Sequence, residues 1–262
     1  MFDFHMHSRV SFDSKADPLD MLAAAERAGL REICFTDHMD FDPSGAADLA
    51  FRPEAYHQAY DSLPQSPVTV RLGMEFGMLP DNRSVFLEEA QKRPYDFIIG
   101  SVHFADGLDP YYPAYWQGRS QEQAYECYLQ SILACLQTHR DFSVLGHLTY
   151  PTKASANPSP RPYTMARYGD LAEEIFRKLI DLGIGLEVNT SGLRAGSEPL
   201  PPLEFVRRYV ELGGEILTIG SDAHVPQRVG QYIPQTLSAL AKITPWICTF
   251  QAGKPQFHKI EA

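Results

Sequence analysis

Residues 2–38 have the sequence FDFHMHSRVSFDSKADPLDMLAAAERAGLREICFTDH, and this stretch contains two predicted strands and the helix between them. Residues 2–5 predict a short opening strand. Asp17 is placed to cap a helix that has Pro18 at its first position, and the helical spacing of apolar residues ends at Gly29. Residues 32–36 predict the next strand. A strand, a helix and a second strand in this order predict two parallel strands joined by a crossover helix.

The same alternation continues through most of the chain. Further strands are predicted at 68–74, 95–101, 142–146, 185–189 and 215–221, and helices at 53–62, 84–92, 121–139, 165–182 and 202–212. Seven strand–helix units favour a seven-stranded, TIM-like (β/α)7 barrel, with an open doubly wound sheet as the alternative. No GxGxxG motif follows the first strand to favour a dinucleotide-binding fold. The residues after 243 are expected to add an eighth strand or to pack on the outside.

Composition indicates an ordinary globular protein. The chain has 262 residues, of which 44% are hydrophobic and 21% charged, so we expect residues 1–262 to form one domain. The four cysteines show no CxxC spacing, and no segment approaches the about 18 apolar residues of a membrane span. We therefore expect a cytoplasmic protein without a membrane partner. The net charge of −10 disfavours nucleic acid as a partner. No feature indicates an oligomeric state.

Metal-binding residue types gather at the predicted strand ends, which form the catalytic face of an α/β barrel. Six of the seven ends carry such residues: His5 and His7, Asp37 and His38, Glu75, His103, His147, and Asp222 with His224. In His-x-His the period of two directs both imidazoles to one side of the strand. A single histidine at such a position is more often a hydrogen-bonded loop residue, but the joint set predicts a multinuclear metal site. Mixed nitrogen and oxygen donors suit zinc, manganese or iron.

Other residues near these strand ends are weaker candidates. Asp13 lies in a turn rich in serine and aspartate, where a cap or turn former is the usual role. Asp3, Asp37 and Ser8 are expected either to support the ligands or to be solvated.

The motifs resemble those of the polymerase and histidinol phosphatase (PHP) superfamily. They are DFHMHSxxSxD at 3–13, TDH at 36–38, GME at 73–75, IIGSVH at 98–103, VLGHL at 144–148, EVNTSGLR at 187–194 and SDAH at 221–224. EVNTSGLR and GRSxxxAYxxY at 118–128 resemble the histidinol-phosphatase branch. That branch commonly has Asp after Gly-His-Leu, where this chain has Thr149, Tyr150 and Pro151, which leaves the wall near His147 and the fine substrate preference open.

The resemblance implies a distorted seven-stranded barrel of the PHP fold that holds three divalent metal ions. Its ligand groups would be His5, His7, Glu75 and Asp222; Glu75, His103 and His147; and Asp13, His38 and His224. Glu75 would bridge the first two ions. Three divalent ions outweigh three carboxylates, and a bridging hydroxide cancels only part of the excess, so a phosphate dianion would be attracted despite the acidic chain.

Basic and aromatic residues in the long loops complete the predicted site. We expect Arg194 to act in catalysis with Glu75 and Asp222 and to bind the substrate phosphate, because its guanidinium matches phosphate oxygens. The alternative is a surface ion pair between Arg194 and Glu198. Arg161 is a second candidate phosphate ligand, and a solvated charge is its alternative. Lys153 and Arg167 are likewise expected to be either phosphate ligands or solvated charges. The aromatic residues of the loop after the fourth strand are expected either to line the pocket or to pack the loop: Tyr111, Tyr112, Tyr115 and Trp116.

The resemblance implies hydrolysis of L-histidinol phosphate to L-histidinol and phosphate, a late step of histidine biosynthesis, by attack of a metal-bridging hydroxide. The alternative is a PHP-family phosphoesterase acting on another small ester, such as a nucleotide or sugar phosphate. An amidohydrolase-type barrel would usually have a lysine at the fourth strand end, where this chain has Ser101-Val102-His103. A non-enzymatic module beside a polymerase is disfavoured because the chain lacks a basic stripe.

Overall fold

The computed structural model describes residues 1–153, 162–196 and 198–261. The strands are β1 Phe2–Met6, β2 Glu32–Phe35, β3 His38–Met39, β4 Thr69–Gly77, β5 Phe97–Ser101, β6 Val144–Leu145, β7 Gly185–Asn189, β8 Leu217–Gly220, β9 Trp246–Gln251 and β10 Lys254–Lys259. The helices are α1 Pro18–Arg27, α2 Pro53–Tyr60, α3 Arg83–Gln91, α4 Pro113–Trp116, α5 Gln121–Thr138, α6 Met165–Leu182, α7 Leu203–Glu211 and α8 Ile233–Leu240.

Seven of the described strands form a nearly closed parallel barrel in the order β1-β2-β4-β5-β6-β7-β8. Short β3 pairs with the carboxyl half of β4, opposite Glu75 and Phe76. The barrel closes just past β1 and β8, where Asp222 N donates to His5 O at 2.7 Å and His7 N to Ala223 O at 2.8 Å. This closure excludes the open doubly wound sheet and confirms the seven-stranded barrel.

Local sequence signals explain where several helices begin and end. The Asp17 side chain accepts a hydrogen bond from Leu19 N at 2.9 Å and so caps α1. Ser120 and Gln123 form a reciprocal capping box at the start of α5. Gly183 ends α6 in the left-handed conformation at φ 69°. These signals place the helices within a few residues of the predicted ranges.

The chain after residue 243 forms an antiparallel hairpin, β9–β10, and not an eighth barrel strand. Gly253 N donates to Asp96 O at 3.0 Å, and Asp96 directly precedes β5. The rings of Phe250 and Phe97 lie 5.1 Å apart. The hairpin therefore covers the amino ends of barrel strands, at the end opposite to the predicted site.

Two strands differ from their predicted ranges. The predicted strand at 142–146 pairs only at Val144–Leu145, and β3 was not predicted because two residues carry no periodic pattern. No helix in the described part of the chain is both long enough and apolar enough to cross a membrane.

Close contact between β4 and β5 requires a glycine at position 73. A Cβ atom there would lie 2.3 Å from the backbone oxygen of Phe97. We predict that Gly73→Ala lowers the free energy of unfolding by about 1–3 kcal/mol, because the backbone of the neighbouring strand must shift. Urea unfolding measures this change.

Gly169→Ala is the matched control, because a Cβ at this helical position meets only the flexible end of Met165 at 3.2 Å. Its stability should equal that of the wild type or exceed it by up to about 1 kcal/mol. Equal stabilities of the two variants would contradict the packing argument.

Candidate metal centre

All nine predicted metal ligands lie together at the carboxyl ends of the barrel strands. His5, His38 and Glu75 are on β1, β3 and β4, and the others follow strands or lie in the loop before α1: His7, Asp13, His103, His147, Asp222 and His224. Seven of the nine are buried, while the side chain of His224 is 22% exposed and that of Asp13 is 36% exposed. Arg194 lines the same cavity. Arg161 lies outside the described residues.

The first predicted group surrounds one oxygen of Glu75. Glu75 Oε2 lies 3.1 Å from His5 Nε2 and 3.4 Å from His7 Nε2. Asp222 Oδ1 lies 3.9 Å and 3.7 Å from the same two nitrogens. Four potential ligand atoms therefore face one small volume.

The second group surrounds the other oxygen of Glu75. Glu75 Oε1 lies 2.7 Å from His147 Nε2 and 3.3 Å from His103 Nε2. The two imidazole nitrogens are 3.2 Å apart. Because each oxygen of Glu75 faces a different group, this carboxylate lies between the two.

The third group contains Asp13, which the residue pattern alone indicated only weakly. Asp13 Oδ2 lies 2.9 Å from His224 Nε2 and 3.6 Å from His38 Nε2. The His7 ring stacks against both histidines, with its centroid 4.1 Å from that of His224 and 4.3 Å from that of His38. The third group is thus continuous with the first.

These donor atoms fit divalent metal ions. His5 Nε2 and His7 Nε2 are 3.1 Å apart in a buried volume that they share with carboxylate oxygens. Neutral imidazole nitrogens and carboxylate oxygens are both lone-pair donors, so a cation between them satisfies all of them at once. A mixed nitrogen and oxygen set of this kind suits zinc, manganese or iron.

The buried carboxylates are held in the ionised form. Burial alone would raise the pKa of Glu75, but the imidazoles of His5 and His38 hold that pKa well below its usual value. Lys153 and His5 likewise hold the pKa of Asp222 low against burial. Burial would lower the pKa of His5, yet the surrounding carboxylates raise it well above its usual value. The site therefore keeps its oxygen donors charged.

Two further carboxylates orient the imidazoles, and neither was among the predicted site residues. Glu187 Oε1 lies 2.5 Å from His5 Nδ1, and its Oε2 accepts a hydrogen bond from His147 N at 2.8 Å. Asp40 Oδ2 lies 2.9 Å from His103 Nδ1. Such contacts to the far ring nitrogen fix the orientation of a metal-binding histidine. Their sequence signal was present, because Glu187 opens EVNTSGLR and Asp40 follows a strand-end histidine by two residues.

The side chains of Asp3, Asp37 and Ser8 are buried and support the site, so the alternative of solvated loop residues is wrong. Asp37 accepts hydrogen bonds from Ser8 N at 2.8 Å and Ser11 Oγ at 2.9 Å. Asp3 accepts from Ser221 N at 2.8 Å. Ser11 Oγ also lies 3.0 Å from His7 Nδ1, so these bonds tie the loop after β1 to the imidazoles.

Arg194 and Lys153 form a positive wall beside the carboxylates. Arg194 donates to Gln231 Oε1 at 3.1 Å, to Asp222 O at 3.3 Å and to the backbone oxygen of Ser221. Within the described residues no ion pair joins Arg194 to Glu198. Lys153 donates to Asp222 Oδ2 and is only partly exposed, so it belongs to the site and is not a freely solvated charge.

The centre opens into a cavity of about 400 Å³. Tyr111, Tyr112 and Tyr150 are among its lining residues. Tyr115 and Trp116 are buried instead, and the Trp116 indole donates to Pro110 O at 2.8 Å. Of the four aromatic residues in this loop, Tyr111 and Tyr112 therefore line the pocket, whereas Tyr115 and Trp116 pack the loop. Because positive side chains and candidate metal positions line one cavity, its chemistry suits a small anionic substrate.

Comparisons with known proteins agree with this chemistry. The family model described as PHP domain matches residues 3–191. A probable histidinol-phosphatase of Clostridium acetobutylicum is 30% identical over 230 residues, which cover 88% of this chain and 89% of the relative. The histidinol-phosphatase of Lactococcus lactis is 29% identical over 238 residues, which cover 86% and 85%.

A solved structure is also similar over nearly its whole length. The crystal structure of histidinol phosphate phosphatase from Lactococcus lactis, complexed with zinc, L-histidinol and phosphate, superposes with a TM-score of 0.89. The two chains are 26% identical, and the match covers 97% of this chain and 98% of the other.

Glu187 offers a test of how the imidazoles are oriented. We predict that Glu187→Gln weakens divalent metal binding about 10–100-fold, because a carboxamide cannot contact His5 Nδ1 and accept from His147 N as the two carboxylate oxygens do. Competition with a chelator measures the affinity. Glu174→Gln, an exposed change on α6, is the matched control. Unchanged metal affinity in Glu187→Gln would contradict the role assigned to this side chain.

Proposed function

The chain belongs to the PHP domain family, and from this premise we propose that it hydrolyses L-histidinol phosphate to L-histidinol and phosphate. The protein is a metal-dependent phosphomonoesterase. The observation that carries the proposal is that His5 and His7 cluster with Glu75, and that Glu75 clusters with His103 and His147 in the wall of one cavity. Histidinol-phosphatase relatives over most of the chain, and a similar structure with zinc, L-histidinol and phosphate, support the substrate.

The protein binds divalent metal ions, and the finer proposal is a centre of three. The proposed ligands are His5, His7, Glu75 and Asp222; Glu75, His103 and His147; and Asp13, His38 and His224. Zinc, manganese and iron all suit these donors. When bound, such ions supply Lewis-acid activation of water and stabilise negative charge on phosphate oxygens. We further propose that residues 1–262 act as one phosphoesterase domain.

The side chains of this protein contribute binding and charge stabilisation. In the reaction, an oxygen atom from water bonds to phosphorus, the bond between phosphorus and the ester oxygen breaks, and the ester oxygen takes up a proton. Arg194 and Lys153 line the cavity, and we propose that their cationic groups bind the phosphate dianion and stabilise the charge that its oxygens carry in the transition state. Arg161 is proposed as a further phosphate contact. Glu75 and Asp222 contribute to catalysis as ionised carboxylates, the form in which they can serve as metal ligands.

A substrate panel tests the proposed function. We expect the metal-loaded enzyme to release phosphate from L-histidinol phosphate with a kcat/KM at least about 100-fold higher than from ribose 5-phosphate, AMP or 4-nitrophenyl phosphate. His5→Ala and Asp222→Ala should lose this activity together with bound metal, measured by elemental analysis. Comparable rates across the panel would overturn the specific substrate, and full turnover in a variant without metal would overturn the metal dependence.

Arg194 is expected to act on phosphate and not on metal binding. Arg194→Ala should lower kcat/KM about 100-fold while metal content stays unchanged, because the site loses its planar cation. Arg194→Lys, which keeps the charge but not the forked geometry, should recover only part of the loss. The matched control is the exposed change Arg207→Ala. Wild-type kinetics in Arg194→Ala would remove this residue from the proposed mechanism.

A further inference from the structure

Asp109 differs from every other carboxylate that lines the active-site cavity. Asp13, Asp40, Glu75 and Asp222 each contact an imidazole or Lys153. Among the residues that the structure describes, no cationic side chain forms an ion pair with Asp109. The cavity therefore presents one carboxylate that no cationic side chain contacts directly, although the charge of the more distant His103 acts on it.

The position of Asp109 is fixed by neighbouring groups. Its Oδ1 accepts hydrogen bonds from Tyr111 N at 2.8 Å and from the Tyr150 hydroxyl at 3.1 Å. For Oδ2, by contrast, the described part of the chain provides no hydrogen-bond donor. One oxygen thus anchors the side chain, and the other remains free to accept from a ligand.

Tyr150 sets the separation between Asp109 and the metal centre. Its ring centroid lies 5.0 Å from that of His147 and 5.3 Å from that of His103, while its hydroxyl reaches Asp109. Asp109 is therefore one aromatic side chain away from the second ligand group. Tyr150 is also in the segment where this chain departs from the pattern of the histidinol-phosphatase branch.

The half-buried location makes an unpaired carboxylate costly. Burial raises the pKa of Asp109, which means that its surroundings stabilise the charged form less well than water does. A ligand cation placed against Oδ2 would recover part of this cost through a charge-assisted hydrogen bond.

The proposed substrate has the matching charge pattern. In L-histidinol phosphate the carbon that bears the ammonium group is bonded to the carbon that bears the phosphate ester. A phosphate held near Arg194 and the metal centre therefore brings a primary ammonium group within a few bonds of the reacting phosphorus. Arg194, Lys153 and Asp109 all line this one cavity, so a single small ligand can meet both cationic groups and an anionic group there.

We propose that Asp109, anchored by Tyr150, binds the primary ammonium group of the substrate and thereby selects aminoalkyl phosphates over other phosphate monoesters. This assignment rests on the proposed function and makes Asp109 a specificity-determining residue. In this proposal Asp109 neither binds metal nor takes part in breaking the phosphate ester bond.

Asp109→Asn tests the assignment, because it removes the charge and keeps an oxygen that can accept from Tyr111 N and Tyr150. We expect KM for L-histidinol phosphate to rise about 10–100-fold, which is the effect of losing one hydrogen bond between charged groups. The affinity for the product L-histidinol, measured by calorimetry on the metal-loaded protein, should fall by a similar factor. Metal content and kcat/KM for 4-nitrophenyl phosphate should stay within about twofold.

Asp106→Asn is the matched control in the same loop. Asp106 is exposed, pairs with Arg119 and does not line the cavity, so this variant should bind L-histidinol as the wild type does. A second probe is 3-(imidazol-4-yl)propyl phosphate, which keeps the imidazole and lacks the ammonium group. Its KM should be the same for the wild type and Asp109→Asn.

Three results would overturn the assignment. An unchanged KM for L-histidinol phosphate in Asp109→Asn would exclude an ammonium contact. An equal rise in KM for the probe without an ammonium group would show that Asp109 contacts the imidazole instead. Equal losses on all substrates, including 4-nitrophenyl phosphate, would indicate a structural effect transmitted through Tyr150. The wild-type enzyme separates these results from a failure of the proposed function. If the proposed function is wrong, the wild type will not hydrolyse L-histidinol phosphate.

Discussion

The metal centre depends on one buried carboxylate, Glu75, whose two oxygens face different pairs of imidazoles. Oε2 lies near His5 and His7, while Oε1 lies near His103 and His147. A carboxylate that is 1% exposed remains ionised only when positive charge compensates for lost hydration. The barrel supplies that compensation through His5, His38 and His103, whose imidazole nitrogens lie 3.1 Å, 3.3 Å and 3.3 Å from the Glu75 oxygens.

Charge in this protein is distributed on two scales. The whole chain carries −10, which disfavours extended polyanions, yet the cavity gathers Arg194, Lys153 and the candidate metal positions. Bound cations dominate the field in their own cleft, so a small phosphate ester is attracted locally. Asp109 places a negative group at another point of the same cavity. A ligand with a phosphate and an ammonium group a few bonds apart matches this polarity better than a simple anion.

The extent to which sequence could predict the site differs among its parts. Residues such as His5 and His147 were identifiable because every strand end of a parallel barrel meets at one face, so a position along the chain already implies a position in space. Glu187 and Asp40 were not identified, since their function lies in contacts to His5 and His103 across the barrel. The orientation of these side chains depends on the register between strands, which hydrophobic periodicity does not specify.

The sequence by itself determined the order of strands and helices, the barrel class and the gathering of histidines and carboxylates at one end, because each depends on local periodicity and on which residue follows each strand. Only the tertiary structure decided that the segment after residue 243 covers the opposite end of the barrel, that Lys153 contacts Asp222, and that Tyr150 anchors Asp109. These features join residues distant along the chain. Their geometry follows from how the loops pack on the closed barrel, and no local pattern encodes that packing.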